Sequence, residues 1–170
     1  MVKPATAIQH AADVARAITD GELVLAQIDL PALPERVFSA MMTKECERWW
    51  GAAGVYTIEN WKAELRLGGG WSLIIRLPDG TALPASGAFL DVTPAKVRQT
   101  RRYDFDHPTL GRRETEVTTH FQPLPDGTRV IVRHEGFGST EAAIEHAGGW
   151  ERMLDWLAEY LRSKGNGTAQ

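Results

Sequence analysis

The chain has 170 residues, 19 lysines and arginines against 22 aspartates and glutamates, and a formal net charge of −3. Apolar residues make up 43% and charged residues 24%, the balance of a globular domain with its own core, and this slightly acidic balance argues against a dedicated nucleic-acid binder. The lone cysteine, Cys46, excludes an intrachain disulfide and an all-cysteine metal site, and no apolar run reaches the ~18 residues of a membrane span.

Residues 1–21 read as an N-terminal helical extension. Ile8, Ala11, Ala15 and Ile18 recur at helical spacing, and Gly21 supplies a stop. The stripe is thin and such a helix is marginal alone. It is expected to pack on the domain, to pack on a second copy of the chain as a homodimer, or to fray. Asp13 and Asp20 interrupt the segment, which argues against a secretory leader. With the lone thiol, the expected location is cytoplasmic.

A strand follows over Glu22–Leu30, ending at Pro31. Pro34 opens a helix, where a missing N–H costs nothing, and Glu35 suits the positive end of the helix dipole. Val37, Phe38, Met41 and Met42 form its buried side. Thr43 caps a second short helix, Lys44–Trp50, which Gly51 and Gly54 end. Six further strands are expected at Val55–Leu65, Gly70–Leu77, Thr81–Val92, Lys96–Asp104, Arg112–Pro123 and Thr128–Gly136. Turn residues separate them: Gly68-Gly69-Gly70, Pro78-Asp79-Gly80, Thr93-Pro94, Asp106-His107-Pro108 and Pro125-Asp126-Gly127, with Asp-Gly the strongest hairpin signal. Connections this short hold no crossover helix, so neighbours run antiparallel.

Ser139 or Thr140 then caps a long helix. Ala143, Ala147, Trp150, Met153, Leu154, Leu157 and Leu161 give it a broad apolar face. Gly148 and Gly149 predict a kink or two consecutive helices. Residues 164–170 read as a disordered tail, which leaves 22–163 as the domain. The expected fold is α+β: a seven-stranded curved antiparallel sheet wrapped around the C-terminal helix, with two short helices between its first two strands. Helix and sheet diverge at one end of such an arrangement, and a small-molecule pocket belongs there.

At this point the residues resemble a known family. Leu33-Pro34-Glu35-Arg36-Val37-Phe38, Trp49-Trp50-Gly51 and Leu65-Arg66-Leu67-Gly68-Gly69-Gly70-Trp71 come in order. They are followed by Gly87 with Pro94, Gly127-Thr128-Arg129-Val130, His134-Glu135-Gly136-Phe137, and His146 with Gly149-Trp150. The array resembles the helix-grip (START-like, SRPBCC) superfamily of the birch pollen allergen and the steroidogenic lipid-transfer domains. Within it, the chain is similar to the bacterial group related to the C-terminal domain of the heat-shock protein 90 ATPase activator. The resemblance covers residues 22–162 and implies the helix-grip fold. It implies a range of roles: binding lipids, steroids, polyketides or hormones, cyclase or hydrolase chemistry, or chaperone binding.

Strand alternation proposes which side chains line the hollow. Trp71, Leu73 and Ile75 share an inward face, as do Val117, Thr119 and Phe121, and Val132 and His134. Phe89 joins them, with Trp150, Met153, Leu154 and Leu157 from the helix. Trp49 and Trp50 are adjacent, so one closes the core and the other covers an edge or walls the mouth. Most arginines of the hairpin around 98–116 have carboxylates within reach on its solvent face. Arg101 shares a strand face with Val97, Gln99 and Tyr103, and is the arginine placed to meet a carboxylate ligand.

His134, if inward, needs a hydrogen-bond partner; His146 or a backbone carbonyl is the candidate, and the pair would lock the helix to the last strand. His10, His107 and His120 are scattered over unrelated elements, so no metal site is expected. The triple glycine 68–70 lacks a following Lys-Ser/Thr and opens no helix, so it is no phosphate loop. No Gly-x-Ser-x-Gly is present, and Cys46, among charges, is expected to be partly exposed. No catalytic residue and no cofactor is assigned. The expected function is binding of a small hydrophobic molecule (lipid, polyketide or aromatic) in an internal cavity. The alternatives are a cyclase or hydrolase in the same cavity, or a chaperone- or protein-partner-binding module.

Overall fold

A computed structural model of the chain describes residues 14–167. Residues Ile8 and Ala11 of the expected N-terminal helix, and residues 168–170 of the expected tail, lie outside the described residues. Nine strands form one antiparallel sheet: β1 Arg16–Asp20, β2 Leu23–Leu30, β3 Gly51–Ala52, β4 Tyr56–Ala63, β5 Gly70–Arg76, β6 Ala82–Val92, β7 Lys96–Tyr103, β8 Thr115–Leu124 and β9 Gly127–Glu135. Their order is β1-β2-β9-β8-β7-β6-β5-β4-β3. Helix α1 spans Pro34–Met42, a 3₁₀ helix spans Lys44–Arg48, and α2 spans Thr140–Gly167.

The sheet has nine strands rather than seven. The extra strands are β3, two residues long, and β1, which replaces the end of the expected helical extension. Ile18 pairs with Leu25 and Asp20 with Leu23, and Gly21 turns the hairpin at φ 65°. A thin alanine stripe offers a helix little to bury, whereas Ile18 and Thr19 suit a strand and Gly21 suits a tight turn. The domain therefore starts before residue 22. At the other end, α2 runs on through Gly167, past the point where a disordered tail was expected. It also crosses Gly148 and Gly149 unbroken. No described helix is long and apolar enough to cross a membrane.

Local chemistry explains the remaining elements. Pro34 sits in the first turn of α1 behind extended Leu33. Thr43 Oγ1 accepts the Glu45 N–H to start the 3₁₀ helix, and Ser139 Oγ accepts the Ala142 N–H to start α2. Val24, Ala26, Ile28 and Leu30 alternate into the core from β2. Gly87 lets β6 pass close to β7: a Cβ there would lie 1.9 Å from the Thr100 carbonyl. That carbonyl accepts the Trp71 indole N–H at 3.0 Å. Helix α1 packs over β8 and β9, with Phe38 against Phe121 at 5.4 Å between rings.

The placement of α2 sets the rest. Its backbone comes close to β2 and β1, where buried Ala142, Ala143, Ala147 and Ala158 permit a near approach. Glu151 and Asp155, one turn apart on α2, accept the backbone N–H groups of Ala17 at 2.8 Å and Ala15 at 3.1 Å. Those N–H groups lie at the open edge of β1, so the helix satisfies the edge it covers. Having closed on one side of the sheet, α2 stands off β4–β7 on the other.

Candidate functional site

The gap between α2 and β4–β7 is a cleft of about 250 Å³. Tyr56 and Ile58 of β4, Ile75 of β5, Leu83 of β6, and Arg101 and Tyr103 of β7 form its sheet wall. Glu145, His146, Gly149, Trp150, Arg152 and Met153 form its helix wall. Trp50 and the loop residues Phe105 and His107 complete it. A recess of about 30 Å³ continues inward past Trp50, Arg101, Trp150 and Met153 to Met41, Met42, Trp61, Trp71, Gln99, Val117 and Thr119.

Six residues proposed from strand and helix alternation line the cleft: Trp50, Ile75, Arg101, Tyr103, Trp150 and Met153. Trp71, Val117 and Thr119 line the inner recess. Trp49, Leu73, Phe89, Phe121, Val132, Leu154 and Leu157 are buried in packed core and line neither space. They lie deeper in the interior, where side chains close the hollow. Trp49 and Trp50 divide the two roles: Trp49 is buried and donates to the Ala40 carbonyl at 2.9 Å, while Trp50 faces the cleft and reaches Tyr56 Oη at 3.3 Å.

His134 is inward but sealed, and its partners are not His146 or a backbone carbonyl. Trp150 Nε1, which can only donate, lies 3.0 Å from His134 Nδ1. His134 Nε2 therefore carries the proton and donates to Thr115 Oγ1 at 2.8 Å, which donates in turn to the Arg101 carbonyl at 3.1 Å. This chain ties α2 to β9, β8 and β7. Burial, then the charge of Arg101, holds His134 well below its ordinary pKa. Both nitrogens are satisfied, so His134 is not available for acid–base chemistry in the cleft. Cys46 is also fully buried rather than partly exposed, and burial pushes its thiol up to about 12, which removes it as a nucleophile.

The polar groups that do face the cleft were not all legible. His146 Nδ1 donates to the Ala142 carbonyl at 2.8 Å, so its Nε2 is bare and accepts from Tyr103 Oη at 3.0 Å. Burial brings the His146 pKa down to about 4 and raises that of Tyr103. His107 stacks on Tyr103 with ring centroids 4.3 Å apart. The ligand atoms of His107, Glu145 and His146 lie within 4.8 Å of one another, although sequence alone sets His107 apart. The bonds they already make do not suit a metal. His107 Nδ1 accepts the N–H groups of Thr109 and Leu110, each at 3.2 Å, so its Nε2 is protonated. The His146 lone pair is engaged by Tyr103, which leaves only the Glu145 carboxylate to offer a cation. The only sequence signal for this grouping is Tyr103 at an inward strand end followed by a short loop.

Arg101 is the outlier of the site. Arg98 pairs with Glu116, Arg102 with Asp104 and Arg112 with Asp106, as expected for that hairpin. The Arg101 guanidinium instead lies between two indoles, 5.5 Å from the Trp50 ring and 5.8 Å from the Trp150 ring. Its Nε is shielded from solvent and has no hydrogen-bond partner among the described residues.

A separate depression of about 390 Å³ is lined by Pro34, Glu35, Phe38, Leu65, Val92, Thr93 and Pro94. None of these residues is buried and none is shared with the cleft. It offers apolar contact without a buried polar group to orient a ligand.

The family model described as Activator of Hsp90 ATPase homolog 1-like protein matches residues 31–162. No curated protein matches the chain. Solved structures share the fold. A Chromobacterium violaceum protein is 22% identical with a TM-score of 0.72, covering 82% of this chain and 96% of its own. A Rhodobacter sphaeroides protein is 18% identical with a TM-score of 0.72, covering 88% and 99%. CalU16 from Micromonospora echinospora is 21% identical with a TM-score of 0.60, covering 87% and 83%. These likenesses concern the fold alone. Because the family match takes in both short helices, β3–β9 and α2 as far as residue 162, the chain belongs to the Activator of Hsp90 ATPase homolog 1-like family, within the helix-grip superfamily.

Proposed function

We propose that the protein binds a compact hydrophobic molecule, a lipid, polyketide or aromatic compound, in the cleft between α2 and β4–β7. The observation that carries this reading is the cleft of about 250 Å³ with Trp50, Tyr56, Ile58, Ile75, Leu83 and Trp150 on its walls. That volume lies just below the ~300–1,000 Å³ usual for drug-sized ligands, so the occupant is small. Binding draws on apolar area removed from water, at ~25 cal/mol per Å² before ordering costs. The test is titration with a panel of fluorescent apolar probes, following tryptophan emission and native mass. Trp50 and Trp150 flank the site, so an occupied cleft changes emission in step with a one-to-one mass increase. If no probe alters either signal, the reading is wrong.

A second reading, a cyclase or hydrolase working in the same cleft, is favoured by the Tyr103–His146 pair. A neutral imidazole and a phenol 3.0 Å apart on a cavity wall can pass a proton. It requires turnover of a bound compound that Tyr103→Phe removes without removing binding. Binding with no product formed by either protein defeats it.

A further inference from the structure

The Nε of Arg101, shielded and without a hydrogen-bond partner among the described residues, says something about the occupant of the cleft. A donor nitrogen of a cation withdrawn from water is costly unless it is hydrogen-bonded. Among the described residues, Arg36, Arg76 and Arg129 each meet a carboxylate with two nitrogens. Arg101 meets none: its Nε is shielded and unbonded, and its polar contacts are the faces of Trp50 and Trp150. It stands where the cleft narrows into the inner recess and lines both. The side chains nearest it in charge terms, Tyr103, His134 and His146, are held uncharged by burial, so nothing inside the cleft neutralises it. The carboxylate on the cleft wall, Glu145, accepts from Thr109 Oγ1 at 2.6 Å instead. Arg152 lies over the Tyr56 and Trp156 rings on the helix wall, an exposed second cation that favours entry of anions.

Resting on the binding reading above, we propose that the cleft selects a planar hydrophobic carboxylic acid, whose carboxylate is bound by Arg101 between the Trp50 and Trp150 rings. A planar fork of N–H donors matches a carboxylate's two oxygens. The flanking indoles hold that fork in place and offer flat surfaces to an aromatic or unsaturated body. The remaining wall, Ile58, Ile75, Leu83 and Met153, takes the apolar end. A single guanidinium matches a monoanion. A phosphate ester, which carries more charge and more acceptor oxygens, would leave acceptors unmet here.

The test compares 2-naphthoate with its neutral isostere 2-naphthamide, by calorimetry on the full chain, for wild type, Arg101→Met and Arg101→Lys. The wild type is expected to prefer the acid by about 10- to 100-fold, the usual worth of hydrogen bonds to a charged group. Arg101→Met loses that preference and keeps the amide's weaker affinity. Arg101→Lys recovers part of it, because a point charge replaces a fork. Thermal melting of the unliganded proteins shows whether the variants fold, and Arg101→Met is expected to melt no lower than wild type. Wild-type protein that binds amide and acid equally, or a preference that survives in Arg101→Met, overturns the assignment while leaving the cleft as a binding site. Failure of both compounds and of every apolar probe overturns the cleft reading and this inference with it.

Discussion

His134 shows how a polar side chain serves a packed interior. It is 1% exposed, yet each ring nitrogen has one partner of the right kind, so burial leaves no polar atom unmet. The cost is that it must stay neutral, and His146, brought down to about 4, is under the same constraint. The sign of the pH dependence follows. An unfolded histidine takes its proton near the ordinary value of 6.5, whereas His146 in the fold takes it only near 4 and His134 is likewise held well below 6.5. Between those values the unfolded state binds more protons, so stability rises with pH and is lost as pH falls. The His146 contribution is complete above about pH 6.5 and erodes toward pH 4, at no more than ~1.4 kcal/mol per pH unit. Urea denaturation from pH 7.5 to 4.5, chosen as a range of about three units around these values, should show a falling midpoint in wild type and a shallower fall in His146→Gln. Equal slopes would mean that His146 is not held neutral by the fold. Of these features, the inward position of His134 and of Arg101 was legible from strand alternation. Their partners were not, because Trp150, Thr115 and Trp50 meet them only through pairing of elements distant in sequence.

The elements tell a similar story about what sequence carries. The hairpins from β4 to β9 were legible because a turn signal and alternation agree at each step: Asp-Gly after β5 and β8, glycines after β4, and proline-bearing turns after β6 and β7. β1 was missed because five residues with a single large apolar side chain fit helical spacing as well as strand spacing. What decides for the strand is tertiary: β2 on one edge and the α2 carboxylates on the other. Glu151 and Asp155 are spaced i, i+4, so they rise on one face of α2 and reach alternate N–H groups, Ala17 and Ala15. The double substitution Glu151→Ala, Asp155→Ala should cost about 1–3 kcal/mol, from two hydrogen bonds of ~0.5–1.5 kcal/mol each. It should also speed amide exchange in β1 while leaving β4–β7 unchanged. Exchange that stays slow at Ala15 and Ala17 would show that the helix carboxylates do not hold this edge.

For the molecule as a whole, the cleft is a consequence of where α2 lies. The helix is drawn onto β1 and β2 by alanines and by Glu151 and Asp155, and the curvature of the sheet then carries β4–β7 away from it. The position of the opening was anticipated in kind, as a divergence of helix and sheet. Among the side chains that alternation turns inward, Trp50, Ile75 and Trp150 line the cleft while Leu154 and Leu157 are packed in the core, and sequence does not say how deep that core reaches before the gap begins. Gly148 and Gly149 separate stability from binding at this scale. Gly148 is exposed, Gly149 lines the cleft, and a Cβ at either meets nothing within 4 Å. Each glycine weakens the helix by roughly 0.8–1.0 kcal/mol relative to alanine. Gly148→Ala should therefore raise the melting temperature and leave probe binding unchanged. Gly149→Leu should also stabilise the helix, but its side chain enters the cleft beside Trp150 and takes the space a ligand needs. The expected result is a protein that melts at or above the wild-type temperature and no longer binds apolar probes. A Gly149→Leu protein that folds and binds them as wild type does would put the binding site elsewhere, with the open depression beside Phe38 and Pro94 next to be tested by Phe38→Ser.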